Sequence, residues 1–595
     1  MSLRTSQKTI KDAKNSLGRI TFVLGFFFVI TAIVVVRLFY IQIIQHDYYL
    51  ALAEGQRQIF EQLIPSRGQI LLEVEDDEYF SLATNRKLDL VYAIPREVDN
   101  GGSIKNIDTV VDFIAPLLSV DAEELKTNLS DIEDLYVPIA KQVGPEISEK
   151  ITERIMQEQE LSPEERTFTG VYLQPEEWRY YPEHTLASNI VGFVGFMDDR
   201  RIGRYGLEEY FEEQLRGRSG FLETERDSRN RLIAVGDRSF QPAQDGDDLI
   251  LTIDRDIQFI VERELRKAWL AYDAADATAI VIQPYTGDIL ALANFPNYDP
   301  NEFNKVEEAG DFRNHAVSDI YEPGSIQKPL VVAAALDAEL ITPDSTVLDS
   351  GSMKIDRYTI SNSDGAAHGN ITPTEVLEYS SNIGAAKIAQ QLGGENMRKY
   401  LERFGLTAMT GITLAGEATP QVREEFGPVD LVTSAYGQGF AVTPLHMATA
   451  FSAIVNGGKL IQPRIVKAVR KEDDTVEEFQ PSVIGDAISP KAARQTSAML
   501  VSSIENGVAN KAKVAGYRLG GKTGTAQITD KETGRYSNTK FNHTFVGFGP
   551  FEDPQFVMII KFTEPKRRYA ADTAAPTFSK IAEGILRQLK IKPTE

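Results

Sequence analysis

The 595-residue chain contains no cysteine. No disulfide can staple it and no thiolate can hold a metal, so its stability rests on large apolar cores. Histidine is sparse as well: His46, His184, His315, His368, His446 and His543 are scattered, with no His-Glu-x-x-His spacing. A zinc enzyme is therefore not expected, and neither metal nor other cofactor is called for. Internal repeats and low-complexity tracts are lacking, and an apolar content of 42% rules against global disorder. Basic residues are the minority, 63 Lys and Arg against 86 Asp and Glu, for a net charge of -23. An acidic body is a poor match for a polyanion, so nucleic acid is excluded as a partner.

What basic charge there is sits unevenly. Residues 1–19 carry Arg4, Lys8, Lys11, Lys14 and Arg19 against Asp12 alone. They precede ITFVLGFFFVITAIVVV (Ile20 to Val36), 17 residues without a charge, and apolar character resumes after Arg37 through Ile44. Residues 20–44 can span a hydrocarbon core of about 30 Å, with Arg37 reaching water near the outer interface. The positive-inside bias places residues 1–19 in the cytoplasm and everything after Ile44 outside the cytoplasmic membrane. A cleaved signal peptide is the competing reading, since Ala51-Leu52-Ala53 has small-residue character. That tripeptide lies far from the run, and the run exceeds a usual signal core.

The length implies two to four structural units. Pro, Gly and Asp cluster in QPAQDGDDLILTID from Gln241, which marks a boundary between residues 45–240 and 241–595. Before it, periodicity predicts helices over 105–160 and one amphipathic helix from Tyr205 closed by Gly217. After it come a helix from Arg255 to about Tyr272, a hairpin turning at Tyr285-Thr286-Gly287-Asp288, and helices through most of 328–460. Strands return at 519–527, 542–548 and 556–563. The predicted class is multi-domain α+β, its second domain an antiparallel sheet flanked by helices.

Three short motifs follow in order in that domain: Ser325-Ile326-Gln327-Lys328, Ser380-Ser381-Asn382 and Lys522-Thr523-Gly524-Thr525. Residues i and i+3 share a helix face, so Lys328 can reach Ser325 Oγ and take its proton if it is neutral. Burial beside Lys522 would favour that neutral form. Glu322-Pro323-Gly324 suits a helix entry, and Pro329 removes one hydrogen bond from the first turn, so distortion at Ser325 is expected. Ser380 and Asn382 fall on a tight loop between helices, where a hydroxyl can relay a proton and an amide can hold Lys328 and a ligand. Gly520 to Ala526 read as a small-residue edge strand that a ligand can approach, with two threonines beside a lysine to receive a carboxylate. Taken singly, Ser325 could be an ordinary N-cap, Lys328 a solvated face, Ser380 or Ser381 a cap, and the glycines a bulge.

Together the motifs resemble the set of serine penicillin-recognising enzymes. Nearly the whole chain is similar to the class B penicillin-binding proteins, because Pro65-Ser66-Arg67-Gly68, Arg179 to Pro182, Gly192 and Gly206-Leu207-Glu208 resemble their N-terminal signatures. Asp299-Pro300-Asn301, Tyr321 to Ser325, Tyr436 to Gly439, Thr443-Pro444 and Phe545 to Pro550 resemble segments around their cleft. The resemblance implies a pedestal or dimerisation-type domain over 45–240 and a transpeptidase domain over 241–595. It implies a peptidoglycan D,D-transpeptidase: Ser325 attacks the penultimate D-alanine of a donor stem peptide, Lys328 is the base, and Ser380, Asn382 and Lys522 assist. Thr523, Gly524 and Thr525 would bind substrate, the two threonines holding its terminal carboxylate, and the N–H groups of Ser325 and Thr525 would form the oxyanion hole. β-Lactams are implied inhibitors and a SEDS-type polymerase an implied partner. Ser380-Ser381-Asn382 resembles the division branch rather than the elongation branch. LLEVEDDEYF after Ile70 departs from the family's Asp-Arg-Asn-Gly, and no C-terminal PASTA module fits after Phe562. A membrane-tethered β-lactamase and a penicillin sensor or inactive scaffold are the rival readings.

Overall fold

A computed structural model describes residues 28, 30–39, 58–74, 78–99, 104–197, 200–225, 239–530 and 534–593. The chain divides into two compact units, residues 1–65 with 218–244, and residues 66–217 with 245–595. In the first, strands Gln58–Leu63, Gly220–Glu225 and Ser239–Gln241 form an antiparallel sheet with Gly220–Glu225 in the middle. Residues 30–39 are helical and present Ile33, Val35, Val36 and Phe39 to the outside. Among the described residues no helix is long and apolar enough to cross a membrane, and most of the expected span 20–44 lies outside them.

The second unit contains two sheets that matter for function. Strand Asp248–Leu251 pairs in parallel with Ile70–Glu73 and antiparallel with Val466–Arg470. One seven-stranded sheet thus draws strands from both sides of the Gln241 punctuation. It also contains Val137–Val143, in a stretch where helix was expected. Pro138 disfavours helix there, and the strand gains the edge of Tyr79–Ala93 as partner, burying Val137 and Val143. The helix predicted from Tyr205 is instead two short helices, Gly206–Tyr210 and Glu212–Leu215, interrupted at Phe211, whose ring is buried.

These short helices carry Glu208 into a buried ion cluster. Its carboxylate meets Arg67 and Arg179, each at 2.7 Å, and Arg67 also meets Glu212 at 2.7 Å. The scattered N-terminal signature residues therefore converge on one place. Gly192 lies at φ 83, where an added Cβ would sit 2.2 Å from the Tyr205 carbonyl oxygen. Only glycine lets the two segments approach so closely.

The other sheet is built from β1 (Asp276–Ile282), β2 (Ile289–Phe295), β3 (Gly520–Thr529), β4 (Tyr536–Gly549) and β5 (Phe556–Thr563). Its order is β2-β1-β5-β4-β3, antiparallel throughout, with β3 on an edge. Ala277, Ala279 and Val281 face a core that includes Ile257, Val261 and Leu265 of α1 (Arg255–Tyr272) and Phe578 and Ile581 of a C-terminal helix (Ala574–Gln588). Ile280 and Ile282 face the opposite core, with Leu330 and Val331 of α2 (Lys328–Asp337). Both faces are covered, which is why these strands read as continuous apolar runs. Helix α2 has no polar side: every residue from Lys328 to Leu336 is buried. A helix apolar all round belongs in a core, and here it delivers Lys328 into one.

Candidate active site

The nucleophile candidate lies on a tight turn. Residues Gly324–Gln327 form a 3-10 helix and α2 begins at Lys328, because Pro329 has no N–H to give to the Ser325 carbonyl. That carbonyl accepts from the Lys328 N–H instead. The turn is clamped on two sides. Gly324 donates its N–H to the Gly437 carbonyl at 3.0 Å. On the other side Gly524 of β3 leaves room for it, since a Cβ there would lie 3.0 Å from both Ile326 Cγ2 and the Pro323 carbonyl oxygen. Ser325 itself is half-buried.

Lys328 and Lys522 are both fully buried. Lys328 Nζ donates to the Ser380 carbonyl and lies 3.1 Å from Ser380 Oγ, and Lys522 Nζ lies 2.9 Å from that same oxygen. Neither ammonium has a carboxylate partner among the described residues. Burial pushes Lys328 well below the usual lysine range, and Lys522 pushes it further. Burial likewise brings Lys522 down to about 7. Each lysine is thereby made able to exist without its proton.

Ser380 occupies the loop between helices α3 (Pro373–Glu378) and α4 (Asn382–Leu392), at φ 57. This left-handed backbone is costly for a residue with a Cβ, and it turns carbonyl and hydroxyl toward one lysine. Ser381 caps α4, its Oγ accepting from the Gly384 N–H at 2.8 Å. Two expected contacts are not made. Ser325 Oγ and Lys328 Nζ form no hydrogen bond, since the amine is engaged at Ser380. The Asn382 side chain donates to the Ser361 carbonyl at 2.9 Å rather than holding Lys328. On β3, Thr523 Oγ1 lies 3.5 Å from Lys522 Nζ, and Thr525 Oγ1 accepts from the Ala570 N–H at 3.2 Å.

A support beneath the Ser380 loop escaped the sequence reading. Asp349, buried, accepts from Ser381 Oγ at 2.7 Å, the Gly351 N–H at 2.8 Å and the Asn362 amide at 2.8 Å, with His368 Nδ1 at 2.8 Å. Asn362 in turn accepts from the N–H groups of Asn382 and Ile383. Burial alone would raise the Asp349 carboxyl, yet these donors hold it below its usual value. The signals in sequence were the turn-forming Asn362-Ser363-Asp364-Gly365 and the isolated His368.

Comparison with known proteins follows the same outline. A family described as the penicillin binding protein transpeptidase domain matches residues 277–583, and the penicillin-binding protein dimerisation domain matches residues 62–251. The chain is 32% identical to stage V sporulation protein D of Bacillus subtilis, over 99% of this chain and 88% of the relative. It is 28% identical to the peptidoglycan D,D-transpeptidase FtsI of Escherichia coli, over 94% and 89%. Among solved structures it is similar to penicillin binding protein 3 of Mycobacterium tuberculosis in complex with aztreonam, with a TM-score of 0.68 and 25% identity, over 90% of this chain and 98% of that one.

Proposed function

The chain belongs to the penicillin-binding proteins that join a dimerisation domain to a transpeptidase domain, and from that membership we propose a class B, serine-type peptidoglycan D,D-transpeptidase working through an acyl-enzyme on Ser325. One observation carries the chemistry: two buried lysines, neither with a carboxylate partner among the described residues, converge on the hydroxyl of Ser380, and Lys328 follows Ser325 by one turn. Neutral Lys328 takes the Ser325 proton as Oγ attacks the penultimate D-alanine carbonyl of a donor stem. The N–H groups of Ser325 and Thr525 stabilise the developing oxyanion. Lys328, Ser380 and Lys522 pass a proton to the departing D-alanine amine, while Thr523, Gly524 and Thr525 hold its carboxylate. An acceptor amine then attacks the ester and closes the cross-link. Asn382 is held at the Ser361 carbonyl and takes part in no step of this scheme.

Residues 45–240 serve as pedestal and 241–595 as catalytic domain, anchored in the cytoplasmic membrane through 20–44 with both domains outside. The basic residues 1–19 and the long apolar run support that topology. Glycan polymerisation falls to a SEDS-type partner, and β-lactams act as substrate mimics that trap Ser325. The Ser380-Ser381-Asn382 motif favours a division role. Fluorescent penicillin should label the wild type and fail on Ser325→Ala, and stable labelling of the variant, or penicillin hydrolysis at many equivalents per second, would defeat the proposal. For the process, a fluorescent fusion should gather at midcell, and lateral-wall signal alone would overturn the division role.

A further inference from the structure

His368 takes no step in the reaction above, yet it packs against the loop on which that reaction depends. Its half-buried ring lies flat on the ring of Tyr379, with centroids 4.8 Å apart and 11° between the planes. Tyr379, Ser380 and Ser381 are consecutive. His368 stacks on the first, Lys328 and Lys522 meet the hydroxyl of the second, and Asp349 accepts from the third at 2.7 Å. One imidazole and two lysines thus address the same three residues.

Both ring nitrogens face carboxylates: Nδ1 lies 2.8 Å from Asp349 Oδ2, and Nε2 lies 3.2 Å from Asp364 Oδ2. A neutral imidazole has one N–H and answers one of them; the doubly protonated ring answers both. The titratable groups that face the ring are Asp349, on the strand Val347–Asp349, Asp364, on the turn that follows Asn362, and Tyr379, just after α3. The same two carboxylates act on Lys328. Burial and Lys522 push that lysine down, while Asp364 and Asp349 pull it up. His368 touches both of the groups that work against the base.

We infer that His368 is a positioning residue for Lys328, its imidazolium masking Asp349 and Asp364 so that the lysine can give up its proton. Two carboxylates and one imidazolium leave a single negative charge in excess. Without the imidazolium the excess doubles, Lys328 keeps its proton to higher pH, and the neutral base is scarcer at any given pH. The inference rests on the reading of Lys328 as the base of a transpeptidase.

The pH profile of acylation by fluorescent penicillin, measured on the full-length enzyme, tests it. The acidic limb of that profile belongs to the two lysines as a coupled pair. His368→Asn removes the cation, while its amide can still donate to Asp349. The limb should move up by about 0.5–1 pH unit, with acylation about 3- to 10-fold slower on the acid side and within about twofold of wild type above the limb. Asp364→Asn, at an exposed position, should move the limb down by about 0.3–1 pH unit. The double variant restores the charge of the cluster and should bring the limb back to its wild-type position. A limb that stays in place in His368→Asn overturns the inference. So does an equal slowing at every pH, which a merely structural role would give. Should His368→Asn fail to fold, Asp364→Asn decides alone: a limb displaced downward upholds the inference and an unmoved limb overturns it. A wild type that fluorescent penicillin does not acylate overturns the transpeptidase reading, and the inference with it.

Discussion

At Glu208 a fully buried carboxylate meets two guanidinium groups, Arg67 and Arg179, each at 2.7 Å; at the cleft Lys328 and Lys522 are buried as completely and meet no carboxylate. Burial acts against charge in both places, with opposite results. For Glu208 burial pushes the carboxyl up, and the two arginines outweigh it, so the group stays below its usual value and ionised. For Lys328 the second lysine adds to the effect of burial, and the more distant Asp364 and Asp349 do not reverse it. A compensated cluster fixes how segments pack. An uncompensated pair stores the readiness to give up a proton, which is what a base beside Ser325 requires.

The contrast can be broken from either side. Lys328→Ala should lower acylation by about 10² to 10⁴, the usual range for a lost general base. It should do so with only a modest fall in melting temperature, because no ion pair is broken and the side-chain hydrogen bonds lost are those to Ser380; acylation within a few-fold of wild type would remove Lys328 as base. Since burial brings Lys522 to about 7, the wild-type rate should climb as pH rises through that value. The sign for stability is the same: between about 7 and the usual lysine value the unfolded chain binds the extra proton, so stability gained on raising pH is lost as pH falls through about 7. Glu208→Gln should do the reverse of Lys328→Ala. It leaves Arg67 with Glu212 alone and the buried Arg179 without a carboxylate among the described residues, at a cost of about 3–5 kcal/mol read by denaturant unfolding, with acylation per folded molecule nearly unchanged.

Asp349 sharpens the comparison as an intermediate case, a buried carboxylate held by neutral donors and one imidazole. Asp349→Asn should cost about 1.5–3 kcal/mol, the value of hydrogen bonds to a charged group, and should also slow acylation through the Ser381 contact. Stability and acylation both at wild-type level would show that the loop stands without it.

How far the sequence could see follows from the range of each interaction. Helix α1 and the β1–β2 hairpin lie where their periodicity placed them, since each is specified by its own residues. The three motifs were legible because the chemistry forces particular residue types into short spacings. Val137–Val143 was read as helix because the edge it joins lies some fifty residues away. Asn382 was given to Lys328 because nothing in the local sequence marks the Ser361 carbonyl, 21 positions earlier, as its partner. Asp349 was invisible for a related reason: what matters about it is which donors arrive from elsewhere in the chain.

Ser380 shows where robustness and turnover pull apart. Its left-handed backbone suits glycine, and a residue with a Cβ there gives up about 1–2 kcal/mol. Selection for heat resistance alone would drift toward glycine at this position, and the loop would relax. Glycine has no hydroxyl to set between two lysines, so the relaxed loop would leave a gap in the proposed proton path. On the proposed mechanism the serine trades stability for chemistry, and stabilisation of this enzyme would have to begin everywhere but here.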